Sequence, residues 1–364
     1  MERIVVAYSG GLETSVAIPW LRAHQDAEIV AVTMDLGQER ELEAIRDRAL
    51  AIGALRAHVL DLREAFAHDF VLPALKADAL FDDRSPMTAA LARPLIAQKL
   101  VQIADIEHAQ AVAHGGGGTG KRSAFDALIR ALNPKLKIVA PARDWGMTRV
   151  EVAGYARAHG VPLPSDVDSP YRAEMNLWGR SIECSTLDDE PPEEIYKLTK
   201  PARESPDEPA YVEIEFEHGA PSAVNNIAMP MIELIAVLNT IASTHGVGRI
   251  DVVEHRVGSA RLREIGEAPA AVLLHAAHKE LRRITAPREL ERFSRTVSSE
   301  YADIIYSGLW FSPLRKALNG FVDSVQERLS GMVRLKLFKG AYSIVARHAL
   351  VTPSPSMIPM AKRS

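Results

Sequence analysis

The 364-residue chain is predicted to be α/β: a parallel-sheet domain over residues 1–165, a second α+β domain over 166–350, and a tail over 351–364. Three observations predict this. Before residue 160, short continuous apolar runs such as Ile4-Val5-Val6 alternate with helix-period stretches, the pattern of strands buried on both faces between helices. After Val161-Pro162-Leu163-Pro164-Ser165-Asp166, runs such as Val212–Glu217 and Val333–Leu337 alternate apolar and polar residues, as in an antiparallel sheet with one wet face. From Thr352 onward, Pro353, Pro355 and Pro359 interrupt a stretch with no dense core pattern.

The elements follow in order. Ile4–Val6 is the first strand, and Val16–Leu21 reads as the first turns of a helix. Glu28–Asp35 is a second strand that ends in the Leu36-Gly37-Gln38 turn, at the strand end where open parallel sheets bind ligands. Glu39–Gly53 is an amphipathic helix with Leu42, Ile45 and Leu50 inward, and Ala57–Leu62 is a third strand. A helical stretch from Leu62 to about Ala79 and the polar connection Phe81–Pro86 lead to a long helix, Thr88–Ile106. Pro94 costs a backbone hydrogen bond inside a helix, so it is expected in the first turn or at a bend. Ala111–His114 and Lys137–Pro141 are strands, and Thr148–His159 is a helix. In the second domain Ile250–Glu254 is a strand, and helices are expected at Ala268–Arg282, Pro287–Tyr306 and Pro313–Leu329, with room for a break in the middle one. Tyr342–Ala346 is placed to pair with Val333–Leu337.

Forty-three basic residues face 47 acidic ones, a formal net charge of −4, so no global field draws the chain to nucleic acid. The one cysteine, Cys184, excludes an internal disulfide framework and a Cys-rich zinc site, and fits a reducing cytoplasm. No apolar run reaches membrane-spanning length and none reads as a secretory leader. The expected partners are therefore small molecules rather than nucleic acid or membrane.

Chemistry is concentrated in Ala7-Tyr8-Ser9-Gly10-Gly11-Leu12-Glu13-Thr14-Ser15, between the first strand and the first helix. Glycines allow close backbone approach to a phosphate, a helix start offers unpaired N–H groups and partial positive charge, and Ser9, Thr14 and Ser15 add hydroxyls. The same residues also suit a plain strand-to-helix turn capped by Ser9. A second such loop, Gly115-Gly116-Gly117-Gly118-Thr119-Gly120-Lys121, follows the strand ending at His114. It nearly spells a P-loop, but Arg122 stands where the metal-binding hydroxyl is required. His114 reads as a structural turn residue beside a nucleotide, Cys184 as a packed small hydrophobe, and Trp178 and Trp310 as core or interface.

The Tyr8–Ser15 run resembles the Ser-Gly-Gly-x-Asp-Ser pyrophosphate loop of the N-type ATP pyrophosphatases. Within that superfamily it is similar to the Tyr-Ser-Gly-Gly-Leu-Asp-Thr-Ser of the argininosuccinate synthase family, with Glu13 in place of Asp. Leu91–Ala97, Asn176–Glu183, His245–Asp251, Ala271–Leu274 and Gly308–Arg315 resemble further runs of that family, and the likeness extends from Val5 to about His348. The second glycine loop then resembles the family's His-Gly-x-Thr-Gly-Lys turn with two glycines inserted.

The resemblance implies an adenine nucleotide alpha hydrolase-like ATP-binding domain, a synthetase and multimerisation domain, an oligomerisation arm in the tail, and a homotetramer. It implies ATP as cosubstrate, Mg²⁺ held mainly by phosphates, and no metal ligands from the protein. By the same resemblance Ala7, Tyr8, Ser9, Gly10, Gly11, Leu12, Glu13, Thr14, Ser15, Met34, His114, Gly115 and Gly118 bind nucleotide. Thr119, Ser123, Ser181 and Glu254 bind the other substrates, and Glu13, Ser15 and Thr119 act in catalysis.

The family's reaction joins citrulline to aspartate, releasing AMP and pyrophosphate. Several of its amino-acid contacts differ here. Ser85-Pro86-Met87-Thr88-Ala89-Ala90 replaces Tyr-Pro-Leu-Gly-Thr-Ser, Ser123-Ala124 replaces Asn-Asp, Ala127 replaces an arginine (with Arg122 or Arg130 as substitutes), Arg172 replaces a serine and Gly266 a tyrosine. The expectation is a family ligase that adenylates a ureido or carboxylate substrate and joins it to an amine, with substrates altered from citrulline and aspartate. Argininosuccinate synthesis itself and a catalytically silent nucleotide-binding paralogue are the alternatives. A tRNA-thiolating pyrophosphatase is disfavoured by the one cysteine and the negative charge.

Overall fold

The computed structural model describes residues 2–38, 41–115, 119–163, 171–184, 189–254 and 262–350, apart from the side chains of residues 119–123, Arg172, Glu254 and Leu262. The domain boundary expected at 165 and the tail expected at 351–364 lie outside the described residues.

Apolar runs and helices alternate through the first domain as β1 (Glu2–Ala7), α1 (Leu12–Gln25), β2 (Ala27–Asp35), α2 (Leu42–Ala51) and β3 (Arg56–Asp61). Next come α3 (Arg63–Phe66), a π turn (Ala67–Val71), α4 (Leu72–Lys76) and α5 (Thr88–Ile106). The domain closes with β4 (Ala111–Ala113), α6 (Thr119–Leu132), β5 (Lys137–Val139), α7 (Pro141–Asp144) and α8 (Arg149–Ala158). The five strands form one parallel sheet in the order β3-β2-β1-β4-β5. Helices on both faces bury it, which is why Ile4, Val5, Ile29, Val30 and Val112 are fully enclosed. The order reverses between β1 and β4, so the crevice at their carboxyl ends is the expected ligand position of such a sheet.

The second domain carries a four-stranded antiparallel sheet, order β11-β12-β7-β6, and a five-stranded one, order β10-β9-β8-β13-β14. Their strands are β6 (Arg172–Asn176), β7 (Gly179–Cys184), β8 (Ala210–Glu217), β9 (Ala220–Val224), β10 (Ile227–Ala228), β11 (Arg249–Glu254), β12 (Leu262–Glu267), β13 (Gly331–Phe338) and β14 (Ala341–Ala349). The helices are α9 (Met231–Thr244), α10 (Pro269–Thr285), α11 (Arg288–Tyr306) and α12 (Pro313–Gln326). Along β13, Gly331, Val333, Leu335 and Leu337 are buried while Arg334 faces out and reaches toward Glu213.

Several local expectations are corrected. α1 begins at Leu12, so Glu13, Thr14 and Ser15 occupy its first turn. Leu50 is 44% exposed, because Ile45 and Ala49 set the buried stripe of α2. Pro94 sits in the second turn of α5, buried among its neighbours. α11 is unbroken. The stretch after Leu62 is helical without a gap from Arg63 to Lys76, as expected, with Ala67–Val71 as a π turn within it. The β6–β7 hairpin, β12 and α9 were not anticipated; α9 is apolar on nearly every side, which hides its period.

The two domains are fastened where β2 ends. Gly37 takes φ +86°, and a Cβ there would lie 2.8 Å from Leu177 Cβ. This close approach lets Leu177 N–H donate to the Leu36 carbonyl at 2.8 Å. Asn176 Nδ2 in turn donates to the Thr88 carbonyl at 2.8 Å, seating the hairpin on the start of α5.

Candidate active site

The β1–α1 loop is held open by its own side chains. Gly10 takes φ +73° and its missing Cβ lets Ile45 of α2 pack beneath it. Gly11 N–H donates to Ser9 Oγ at 3.3 Å, and Ser9 Oγ and Thr14 Oγ1 share a hydrogen bond of 3.1 Å. The Tyr8 and Ser15 hydroxyls bond at 3.1 Å inside the protein. Burial pushes the Tyr8 phenol above its ordinary value, with the Ser15 bond and the Arg48 charge opposing, so it stays protonated. Gly11 is the N-cap of α1 and gives no side-chain cap, which leaves the helix start to a ligand or water.

Two arginines reach this loop from other helices. Arg48 of α2 donates to the Gly10 carbonyl at 3.2 Å. Arg149, the first residue of α8, lies 3.4 Å from the Glu13 carboxylate. Neither was singled out from the sequence. A Thr148-x-x-Glu151 capping box does announce the start of α8, and it forms.

The second loop meets the first. A Cβ on Gly115 would come within 2.8 Å of Thr14 Cγ2, so a side chain there would have to displace Thr14. His114 is buried and its Nε2 bonds to Asp126 Oδ1 of α6 at 2.9 Å. Burial pushes Asp126 up, but the His114 bond and the charges of His114 and Arg143 outweigh it and hold the carboxyl below its ordinary value. His114 thus anchors α6 to the end of β4, in keeping with a structural residue at the turn. Met34 is buried at the end of β2, its carbonyl accepting from Gln38 Nε2 at 2.7 Å.

Of the remaining candidate residues, Ser181 and the backbone position of Glu254 belong to the four-stranded sheet. Ser181 of β7 stands opposite Gly266 of β12, which stands opposite Ile250 of β11. Two-residue alternation puts Val252 and the backbone position of Glu254 on the same face. The start of α5 covers it, enclosing a cavity of about 10 Å³ lined by Ser85, Met87, Arg93, Val252, Glu264 and Tyr306 among others. Beside it, the Leu80–Pro86 connection, Ile250 and α10 line a cavity of about 370 Å³ that includes Arg84, His275 and Lys279. Gly118 and the side chains of Thr119, Ser123 and Glu254 lie outside the described residues. Ala124 is buried, its carbonyl 2.3 Å from where a Gly308 Cβ would stand, so the second domain presses on α6 there. Arg130 is exposed eleven residues into α6, about 16 Å along the axis from Thr119 at 1.5 Å per residue.

Two family models match the chain, one over each domain. The model described as "Arginosuccinate synthase N-terminal HUP domain" matches residues 3–162, and "Arginosuccinate synthase C-terminal domain" matches 171–352. The chain belongs to the argininosuccinate synthase family. It is 49% identical over 351 residues to the argininosuccinate synthase of Gloeobacter violaceus, covering 95% of this chain and 88% of that one. Against the argininosuccinate synthase of Oceanobacillus iheyensis it is 47% identical over 352 residues, covering 96% and 84%. Against that of Dehalococcoides mccartyi it is 49% identical over 350 residues, covering 95% and 86%. Argininosuccinate synthase family members are AMP-forming, ATP-dependent carbon–nitrogen ligases, and the first domain of this chain is the family's nucleotide-binding HUP domain. Among the described residues no helix is long and apolar enough to cross a membrane.

Proposed function

We propose that the chain carries out the reaction after which its relatives are named, the ATP-driven ligation of citrulline to aspartate, as a cytoplasmic homo-oligomer. The observation that carries this reading is the phosphate loop of Ser9–Ser15 meeting Gly115 at the switch point of the sheet, in a chain nearly half identical to those enzymes along its length. The ureido oxygen would attack the α-phosphate, pyrophosphate would leave, and the aspartate amine would then displace AMP. The protein's contribution is placement and charge stabilisation. Ser9, Thr14 and the start of α1 receive the phosphates, and Thr119 and Ser123 lie where α6 begins, next to the joined loops. Ser181 and Glu254, which belong to the four-stranded sheet of the second domain, would meet the other substrates there. Magnesium would enter with ATP, its charge supplied at the phosphate oxygens, with Glu13 the acidic residue of the first turn of α1.

A second reading, altered amino-acid substrates, is favoured by the sheet face itself. Gly266 leaves the position opposite Ser181 without a side chain, and a Cβ there would make only ordinary contact with Ile250, at 3.4 Å. The neighbouring 370 Å³ cavity gives such a substrate room. Pyrophosphate release from ATP decides between them. Release that requires both citrulline and aspartate supports the first reading. Release only with other amino, ureido or carboxylate compounds supports the second, and no release with ATP bound sinks both.

A further inference from the structure

We propose that Arg48 and Arg149 are the cations that hold the pyrophosphate leaving group, and that Glu13 keeps Arg149 in place until the anion arrives. This rests on the nucleotide reading of the loop and adds two residues to it. The loop's own donors are neutral: backbone N–H groups and the hydroxyls of Ser9, Thr14 and Ser15. Pyrophosphate carries several negative charges, and charge gathers on it as it departs, so a site built of neutral donors alone is underpowered.

The two arginines flank the loop on separate supports. Arg48 bonds only to the Gly10 carbonyl and has no ion-pair partner among the described residues. Its helix is fixed to the loop by Ile45, which fills the space under Gly10. Arg149 is held by α8, which packs on α1 through Leu12, Val16, Val152 and Ala156. Its guanidinium meets Glu13, on the first turn of the helix whose open start receives the phosphates. A guanidinium stays protonated throughout and matches phosphate oxygens in a fork. As the acceptor oxygen bonds to the α-phosphorus, the bond from that phosphorus to its bridging oxygen breaks. The electron pair leaves on pyrophosphate, where the arginines meet it. The Glu13 carboxylate repels the same anion, so it acts as a stand-in for it.

The test is calorimetric titration of the full chain with inorganic pyrophosphate and, separately, AMP, both in EDTA so that no metal intervenes. Arg149→Ala and Arg48→Ala should each weaken pyrophosphate by about tenfold to a hundredfold, the scale of one lost charge-assisted hydrogen bond. AMP binding should stay within about twofold, on the scale of a change remote from the ligand. Arg149→Lys should recover part of the loss. Glu13→Gln should tighten pyrophosphate, the opposite sign. If Glu13→Gln instead weakens it as Arg149→Ala does, the pair is only a structural bridge and the inference falls. Equal losses for AMP and pyrophosphate overturn it too. A wild-type chain that binds neither ligand would overturn the nucleotide reading itself, whereas binding that the variants leave unchanged would overturn this inference alone.

Discussion

The two halves of the candidate site are built in opposite ways. The proposed nucleotide half is centred on nine consecutive residues, Ala7–Ser15, whose side chains bond to one another and whose one left-handed residue is Gly10, with Gly115, Arg48 and Arg149 reaching it from elsewhere. The amino-acid half is assembled from the start of α5, three strands of a sheet and the first turns of α6, which are up to about 180 residues apart in the chain. A local site carries its geometry in its own sequence. A composite site inherits its geometry from whatever holds its parts together, so it should be the more fragile of the two.

The largest expected effect follows from that fragility. α10, which walls the larger cavity, is tied down by a buried charge network. Asp78, just after α4, meets His275 at 3.2 Å and Arg282 at 3.1 Å, and Arg282 meets Glu291 of α11 at 2.8 Å. Arg282→Ala would leave Asp78 and Glu291 short of their shared cation, at a cost of roughly 3–5 kcal/mol. Urea unfolding should show that loss, while the molecules that remain folded should bind AMP as tightly as wild type. A matching loss of AMP affinity would mean that the nucleotide half is not locally built.

The same network makes the comparison depend on pH. Burial, aided by the Arg282 charge, lowers the His278 imidazole to about 4. Its folded value lies below its unfolded one, so between about pH 6.5 and 4 the unfolded chain binds the extra proton and stability falls as pH falls, by at most about 1.4 kcal/mol per unit. Burial raises Asp78, but the His275 bond and the charges of His275, Arg282 and Lys279 win and bring it to about 2. Its contribution is therefore present above the ordinary carboxylate range and is lost only as pH drops toward 2. Stability at pH 7 and pH 5 should differ in wild type and differ less in His278→Gln. Equal slopes in the two proteins would remove His278 from the explanation.

The same contrast explains what could be read beforehand. The strand-to-helix turn at Ser9–Ser15, the parallel-sheet strands and the turn at Gly115 were legible because glycine, hydroxyl and apolar-run signals sit next to one another in the chain. Ser181 and Gly266 could be named from the resemblance to family members, but that Ser181 stands opposite Gly266, and Gly266 opposite Ile250, follows only from strand register. The β6–β7 hairpin was missed because Asn176–Glu183 mixes polar and apolar residues without strict alternation. α9 was missed because nearly uniform apolarity erases the helical period. Leu50 is expected inward because it is the larger apolar residue at that end of the helix, yet Ala49 takes the buried position, four residues on from Ile45. Arg48 and Arg149 had no motif of their own. They matter through Gly10 and Glu13, contacts that span 38 and 136 residues.

The smallest expected effect probes how far even the local half leans on distant support. Thr148 caps α8, its hydroxyl accepting from Glu151 N–H at 3.4 Å while the Glu151 carboxylate takes the Thr148 N–H at 2.7 Å. Thr148→Ala should cost about 1 kcal/mol, a typical N-cap loss. Arg149, the next residue, keeps its charge but loses part of its fixed position. Pyrophosphate affinity should therefore fall, though by less than in Arg149→Ala, and AMP affinity should hold. A variant that loses the stability and keeps full pyrophosphate affinity would show that Arg149 is placed by Glu13 and the α1 packing alone. A loss as large as that of Arg149→Ala would show the capping box to be the main determinant of where the guanidinium stands.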